Sequence, residues 1–467
     1  MQLIRGARPP RALSAAPSRR TGRQTALAPS SDLARSGSGA RAHRTTAGAA
    51  VLPGIPNCIV PAKARDGGVT PASARLPRLP RTRRTGDDPL VSPSWILGGF
   101  ALLTVFIGGW QFVAALRFPL HRRVPPAVPA PGVTLLKSLK GCDAHTRDCL
   151  RSWFAQDHGG PVQILFAVQD AADPVCAIVR ELALEFPSAD VRLEVVPHLT
   201  GANAKVSKLA HLENFIAHDL VVISDADVKV PADLLAQILA PLQDPRVGLV
   251  NCFYRLANPT TAAMRWEAVA INADFWSQVL QSRTLRAQDF ALGAAMALPK
   301  ARLADIGGLR GLADHLADDY QLGNRIARLG YRIELCPVVV ECWDAPMGWR
   351  KVWAHQLRWA RTIRVCQPVP FAASILSDQT VWVSAFAISL GWPWGPWVFA
   401  AGFAVRAATA VVLQARIGIP ATGSRAGAVF LKDMLGLAIW ASAIFGDQVV
   451  WRGVAYRVGR DGKLTRL

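Results

Sequence analysis

The sequence predicts an α/β domain held at a membrane by flanking apolar helices. Three observations predict it. Short apolar runs alternate with amphipathic helical patterns between about residues 130 and 365, an uncharged 22-residue stretch precedes them, and a second apolar zone follows from about Phe371 to Phe445. Strand–helix alternation implies a mostly parallel sheet covered by helices. The positive mean hydropathy (+0.21) argues against a wholly soluble protein.

Residues 1–89 come first. They are rich in Arg, Ala, Pro, Ser and Gly, and their 16 Lys/Arg against 4 Asp supply most of the formal charge of +20. Such a composition buries too little apolar surface to offset ordering entropy, so disorder is expected. Two origins stay open: a transit peptide, or a mis-assigned start upstream of a true beginning near Val91. Without interleaved aromatics or a recognition motif, the basic charge does not indicate nucleic-acid binding. The eight cysteines show no CxxC pair and no metal-ligand spacing, and are expected as free thiols.

From Trp95 to Leu116 the chain carries no charge. At 1.5 Å per residue this segment, 95–116, is about 33 Å long, enough to cross a bilayer. Arg117, His121, Arg122 and Arg123 follow directly, which places the next domain on the cytoplasmic side.

The strands expected in the 130–365 domain are VTLLKSL, VQILFAV, VRLEVV, LVVIS, VGLVNCFY and RIELCPVVV. Helical periodicity appears in DPVCAIVRELALEF, KVSKLAHLENFIA, ADLLAQILAPL and DDYQLGNRIARLG. No GxGxxG or GxxxxGK[ST] is present, which removes the common dinucleotide and P-loop functions. Ligands of such sheets bind beyond the carboxyl ends of the strands, so acids there carry weight. Asp170 ends one strand, and Asp225 and Asp227 follow another as a DxD. Two carboxylates so placed suit a hard divalent cation and the diphosphate it neutralises, although a polar strand-end turn explains a lone DxD equally well. Asp318 and Asp319 open a helix, where capping and dipole complementation alone would favour acids.

The helix 348–364, GWRKVWAHQLRWARTIR, is basic on one face and aromatic on the other, as expected of a segment in the headgroup region. The apolar zone after it, 371–447, should hold two or three spans. Asp378, Arg406, Lys432 and Asp433 interrupt it and are expected near interfaces or in a protein-lined cavity. Residues 448–467 read as a basic C-terminal tail.

The order strand-end Asp, DxD, acidic helix start, then xxRW before membrane spans resembles the ceramide glucosyltransferase-like family, glycosyltransferase family 21, with the bacterial hopanoid-biosynthesis branch most similar. GANAKVSKL (201–209), ISDADVKV, LADDYQLG (316–323) and HQLRWARTIR (355–364) carry the resemblance. It implies a GT-A fold facing the cytosol, one N-terminal and two or three C-terminal membrane helices, and inverting sugar transfer from a UDP-sugar to a membrane lipid hydroxyl. By the same resemblance Asp170 contacts the nucleotide base or ribose, Asp225 and Asp227 the metal (Mg or Mn) and diphosphate, and Asp319 is the catalytic base. His355, Arg358 and Trp359 hold the diphosphate and acceptor end. His355 departs from the usual Gln or Arg at the first position of that motif.

Inversion needs a carboxylate to take the acceptor proton and positive charge on the departing diphosphate. Lys205 and Lys208 are further candidates for phosphate, against the plainer role of a solvated helix face. Two rival functions are weighed. A processive polysaccharide synthase would need more spans and more often shows TED where this chain has ADD. A transporter would place its ionisable residues inside the spans rather than in the α/β domain.

Overall fold

The computed structural model describes residues 93–420, 426–451 and 453–467; the segment 1–89 lies outside the described residues. All six expected strands are present. They are β1 (Val133–Ser138), β2 (Val162–Val168), β3 (Asp190–Val195), β4 (Leu220–Ser224), β6 (Val247–Leu256) and β8 (Arg332–Cys342), joined by β5 (Val228–Lys229) and β7 (Ala295–Pro299). The eight form one sheet in the order β3-β2-β1-β4-β7-β6-β8-β5. β1, β2, β3 and β4 pair in parallel, as do β6 and β8, while β7 runs against both β4 and β6, and β5 against β8. Six strands therefore point the same way, and their carboxyl ends share one edge of the sheet.

Both faces are covered, which is why the strands read as continuous apolar runs rather than alternating ones. Leu135, Ile164 and Phe166 pack with Leu150, Trp153, Val179 and Leu235 on one face. Leu136 and Leu165 pack with Val206, Leu209, Leu322 and Ile326 on the other. The helices Val175–Glu185, Ala204–Leu212, Leu234–Leu239 and Asp318–Arg328 match the four expected patterns. An unexpected helical stretch, Ala262–Leu285, carries a π-helical segment at Ala270–Phe275.

Among the described residues three helices are long and apolar enough to cross a membrane: Pro93–Arg117, Trp394–Arg416 and Gly427–Ile444. Among the described residues a further apolar pair, Pro368–Ser377 and Gln379–Leu390, is bent by 47° at its break. The charges of this zone face one another. Arg406 donates to Asp274 and Asp433 at 3.0 Å, and Lys432 pairs with the same two carboxylates. Of the two sites expected for such charges, they occupy the protein-lined one.

The basic helix expected at 348–364 is Trp349–Cys366. Residues 448–467 are not a trailing segment: β9 (Gln448–Trp451), β10 (Val454–Val458) and β11 (Leu464–Arg466) make a small antiparallel sheet. Their alternation buries Val449, Tyr456, Val458 and Leu464 against Leu316. Leu316 N–H donates to the Gly462 carbonyl at 3.1 Å, and Leu464 N–H to that of Asp314 at 2.7 Å. The small sheet thus braces the loop that leads into Asp318 and Asp319.

Candidate active site

The acids and Lys205 meet at the carboxyl edge of the sheet. Asn203 caps the helix Ala204–Leu212, its side chain accepting from Val206 N–H at 3.1 Å and donating to the His315 carbonyl at 2.8 Å. A Cβ at Gly201 would lie 2.6 Å from the Ala313 carbonyl oxygen, so the GAN turn presses on the loop before the acidic helix. This fixes Lys205 in the first turn. Its Nζ lies 2.7 Å from Asp225 Oδ1 and 2.9 Å from Asp318 Oδ2. Burial alone would lower its pKa, but Asp225 and Asp318 outweigh burial and raise it. Lys205 is thus no solvated surface lysine; it joins the DxD turn to the acidic helix.

Asp227 is held above the usual carboxylate range, at about 7, by burial and then by the charges of Asp225 and Asp344. Asp319 is raised to about 6, by burial and then by Asp318, with Lys205 opposing. A Cβ at Gly293 would lie 2.9 Å from Asp319 Oδ2, and one at Gly323 would lie 2.3 Å from the Ala291 nitrogen. The acidic helix can therefore sit flush on residues 290–293, with the Asp319 carboxylate over a bare backbone. Tyr320, next along, donates from its hydroxyl to the Cys366 carbonyl at 3.1 Å and ties this helix to the end of Trp349–Cys366.

Sequence reasoning missed Lys137. It lies in β1, fully buried beneath the DxD turn, and its Nζ donates to Ser224 Oγ at 3.0 Å and to the Asp225 carbonyl at 2.6 Å. The ammonium also lies 4.6 Å from the centre of the Trp153 ring. Burial pulls its pKa down to about 7, with Asp225 and Asp227 opposing. A lysine inside an otherwise apolar run was the available signal.

The xxRW helix forms a second group. His355 Nδ1 lies 2.7 Å from Glu267 Oε1, which also accepts from Gln356 Nε2 at 2.8 Å. Glu267 is buried and was not anticipated; its other oxygen has no hydrogen-bond partner among the described residues. Trp359 packs against the rings of Tyr254 and Phe275, at 6.3 and 6.2 Å between centres. Arg358 is half-buried on the same helix.

Two expected residues stand apart. Asp170 follows β2 at the same sheet edge but is exposed, and its Oδ1 accepts from Ala172 N–H at 2.9 Å in a local turn. Lys208 is buried and donates to the Leu139 carbonyl at the end of β1.

A divalent cation fits the DxD by its donor set. Asp225 and Asp227 offer hard oxygens one residue apart; burial first, and then the charges of Asp225 and Asp344, raise Asp227, so a cation there would favour its ionised form. Among the described residues no three His, Cys, Asp or Glu side chains form a closed metal cage. The arrangement suits a cation whose remaining ligands come from a diphosphate.

A family model described as glycosyl transferase family 21 matches residues 97–464. The chain belongs to this family. The family region thus spans the first apolar helix, the α/β domain, the later spans and the small sheet. Ceramide glucosyltransferase 3 of Caenorhabditis elegans is 21% identical over 219 residues, 46% of this chain and 47% of that protein. An N-acetylglucosaminyltransferase of Bradyrhizobium diazoefficiens is 23% identical over 228 residues, 46% of this chain and 45% of the relative. The chain spans about half the length of these two curated relatives. Among solved structures, a mannosyltransferase from Pyrobaculum calidifontis in complex with GDP-Man and Mn2+ aligns with a TM-score of 0.45 at 23% identity, covering 75% of this chain and 95% of that one.

Proposed function

We propose that this chain moves a hexose, glucose or N-acetylglucosamine, from a UDP-sugar to a hydroxyl of a membrane lipid, a hopanoid polyol or a ceramide, with inversion at the anomeric carbon. One observation carries the reading: Asp319 sits half-buried over Gly293, beside the Asp318–Lys205–Asp225 chain, at the sheet edge where a nucleotide sugar would lie. The family membership and the names of the relatives support it.

In this mechanism the acceptor oxygen attacks the anomeric carbon, its proton passes to an Asp319 oxygen, and the bond from that carbon to the diphosphate breaks. The pKa of about 6 suits the task, since the carboxylate is ionised at neutral pH yet basic enough to take the proton. Asp225 and Asp227 would hold Mg or Mn, which when bound neutralises charge on the diphosphate. Lys205, beside Asp225 and Asp318, and Arg358, by the family resemblance, would add positive charge toward the diphosphate. Lys137 holds the DxD turn in place from below, and Asp170 would meet the base or ribose.

His355 and Trp359 would flank the acceptor end. Arg117, Arg122 and Arg123, directly after the first apolar helix, would put the α/β domain on the cytoplasmic face of a bacterial inner membrane.

The test is transfer by purified protein, with UDP-glucose and UDP-N-acetylglucosamine as donors and ceramide and hopanoid polyol as acceptors, products resolved by mass spectrometry. The expected product carries one hexose. A polymer would instead support a processive synthase, and no lipid product with either donor would sink the reading.

A further inference from the structure

Beneath the α/β domain, among the apolar helices, lies a cavity of about 210 Å³. It is larger than the ~150 Å³ space that admits a benzene ring in an engineered core. Arg406 and Gln111, which line it, lie ten and six residues from the helix ends at Arg416 and Arg117. At 1.5 Å per residue the cavity is thus about 9–15 Å below the cytoplasmic end of the spans. At that depth an apolar lining is the default. This lining instead includes Gln111, Gln278, Gln379, Ser377, Thr409 and Asp378.

The chemistry of the lining defines its occupant. The cations Arg406 and Lys432 are already engaged by Asp274 and Asp433. Asp378 adds a third carboxylate, which caps the broken helix through Val381 N–H at 3.2 Å. Three acids against two bases repel an anionic phosphate. The amides, hydroxyls and Asp378 instead suit a neutral group rich in O–H donors. Gln278 and Ser374, which line it, are exposed, so the cavity is open to the outside at their margin, between the helices Trp276–Leu285 and Pro368–Ala373. Trp440 and Leu437 provide apolar surface for the adjoining carbon atoms.

On the other side, Asp274 is followed by Phe275, whose ring packs on Trp359 of the xxRW helix. The residue after a cavity-lining carboxylate thus touches Trp359 of the candidate active site.

We propose that this intramembrane cavity binds the uncharged, hydroxyl-bearing head of a membrane lipid entering from the side. The inference rests on the lipid-acceptor reading above, with this lipid being the acceptor held before transfer.

The test measures binding without donor, in nanodiscs, using C6-ceramide and a hopanoid polyol as probes and an anionic phosphatidic acid as competitor. The variant is Gln278→Leu/Asp378→Asn. Gln278 is exposed, and Asn caps a helix as well as Asp, so the fold should hold. Loss of two hydrogen bonds should weaken binding of a neutral probe roughly 5- to 100-fold. UDP affinity should stay unchanged, and Asp319→Asn should bind the probe as wild type does. Unchanged probe binding in the double variant, equal competition by phosphatidic acid, or no binding of either probe to the wild type would each overturn the proposal. Binding that depends on the cavity in a protein that transfers nothing to lipid would leave this inference standing and remove the functional one.

Discussion

Lys205 Nζ lies 2.7 Å from Asp225 Oδ1, so the turn after β4 and the helix after the GAN turn are joined by an ion pair whose lysine is largely covered and whose carboxylate is partly exposed. The same ammonium reaches Asp318 at 2.9 Å, and its charge holds down the pKa of Asp319 next door. Lys205→Met should therefore do two things. Removing one partner of a buried pair costs about 3–5 kcal/mol, reduced here because Asp225 is partly exposed, so the melting temperature should fall. Asp319 should also become harder to ionise. Lys205→Arg, which keeps the charge, should preserve more activity than Lys205→Met; equal loss in both would show that shape rather than charge matters at this position.

The pH profile follows from the sign of the Asp319 shift. Burial raises this carboxyl to about 6, so the free base is lost as pH falls through that value. Initial-rate measurements at limiting substrate should show activity rising with pH through about 6 and reaching a plateau near neutrality. In Lys205→Met the acid limb should move to higher pH, because the positive charge that favours the carboxylate has gone. A limb near pH 4 in the wild type would mean that an unperturbed carboxylate does the work.

His355 and Gln356 share one oxygen of the buried Glu267. His355→Gln restores the residue common at this position in the family and can still donate, so transfer should stay within a few-fold of wild type. His355→Leu leaves the Glu267 carboxylate short of a donor, at about 1–3 kcal/mol. Thermal denaturation should show the loss in His355→Leu only. Similar melting temperatures for the two variants would mean that the pair is not coupled as the distances indicate.

The small C-terminal sheet hydrogen-bonds the residues just before Asp318. Deleting residues 448–467 should leave the protein membrane-inserted while reducing transfer at least tenfold, with a smaller effect on UDP binding. Undiminished transfer by the truncated protein would show that the loop holds its shape unaided.

Five of the six expected strands were legible because burial on both faces demands runs of Val, Ile and Leu; the edge strand β3, half-buried, was legible from its alternation instead. β7 was not, since AMALP in an alanine-rich stretch gives no strand signal, and β5 is too short to give one. Asp225, Asp227 and Asp319 stood out because acids at strand ends and helix starts follow a rule. Lys137 and Glu267 did not, because a charge in a mostly apolar element reads as a solvent-facing position until the chain that covers it is placed. The pairing of Arg406 with Asp274 was hidden by a separation of 132 positions along the chain. The C-terminal sheet went unread because its basic residues masked the alternation that buries Val449, Tyr456, Val458 and Leu464.

The central claim is that Asp319 takes the acceptor proton, and the most direct measurement is lipid transfer by Asp319→Asn beside Asp318→Asn, with UDP-sugar affinity measured in both. Asn keeps the shape and removes the base. Asp319→Asn should bind donor normally and lose transfer by about 10²–10⁴-fold, the usual cost of a missing general base. Asp318→Asn loosens Lys205 and should cost much less. A dead Asp318→Asn enzyme beside a near-wild-type Asp319→Asn enzyme would shift the base by one residue, and activity in both would contradict the mechanism.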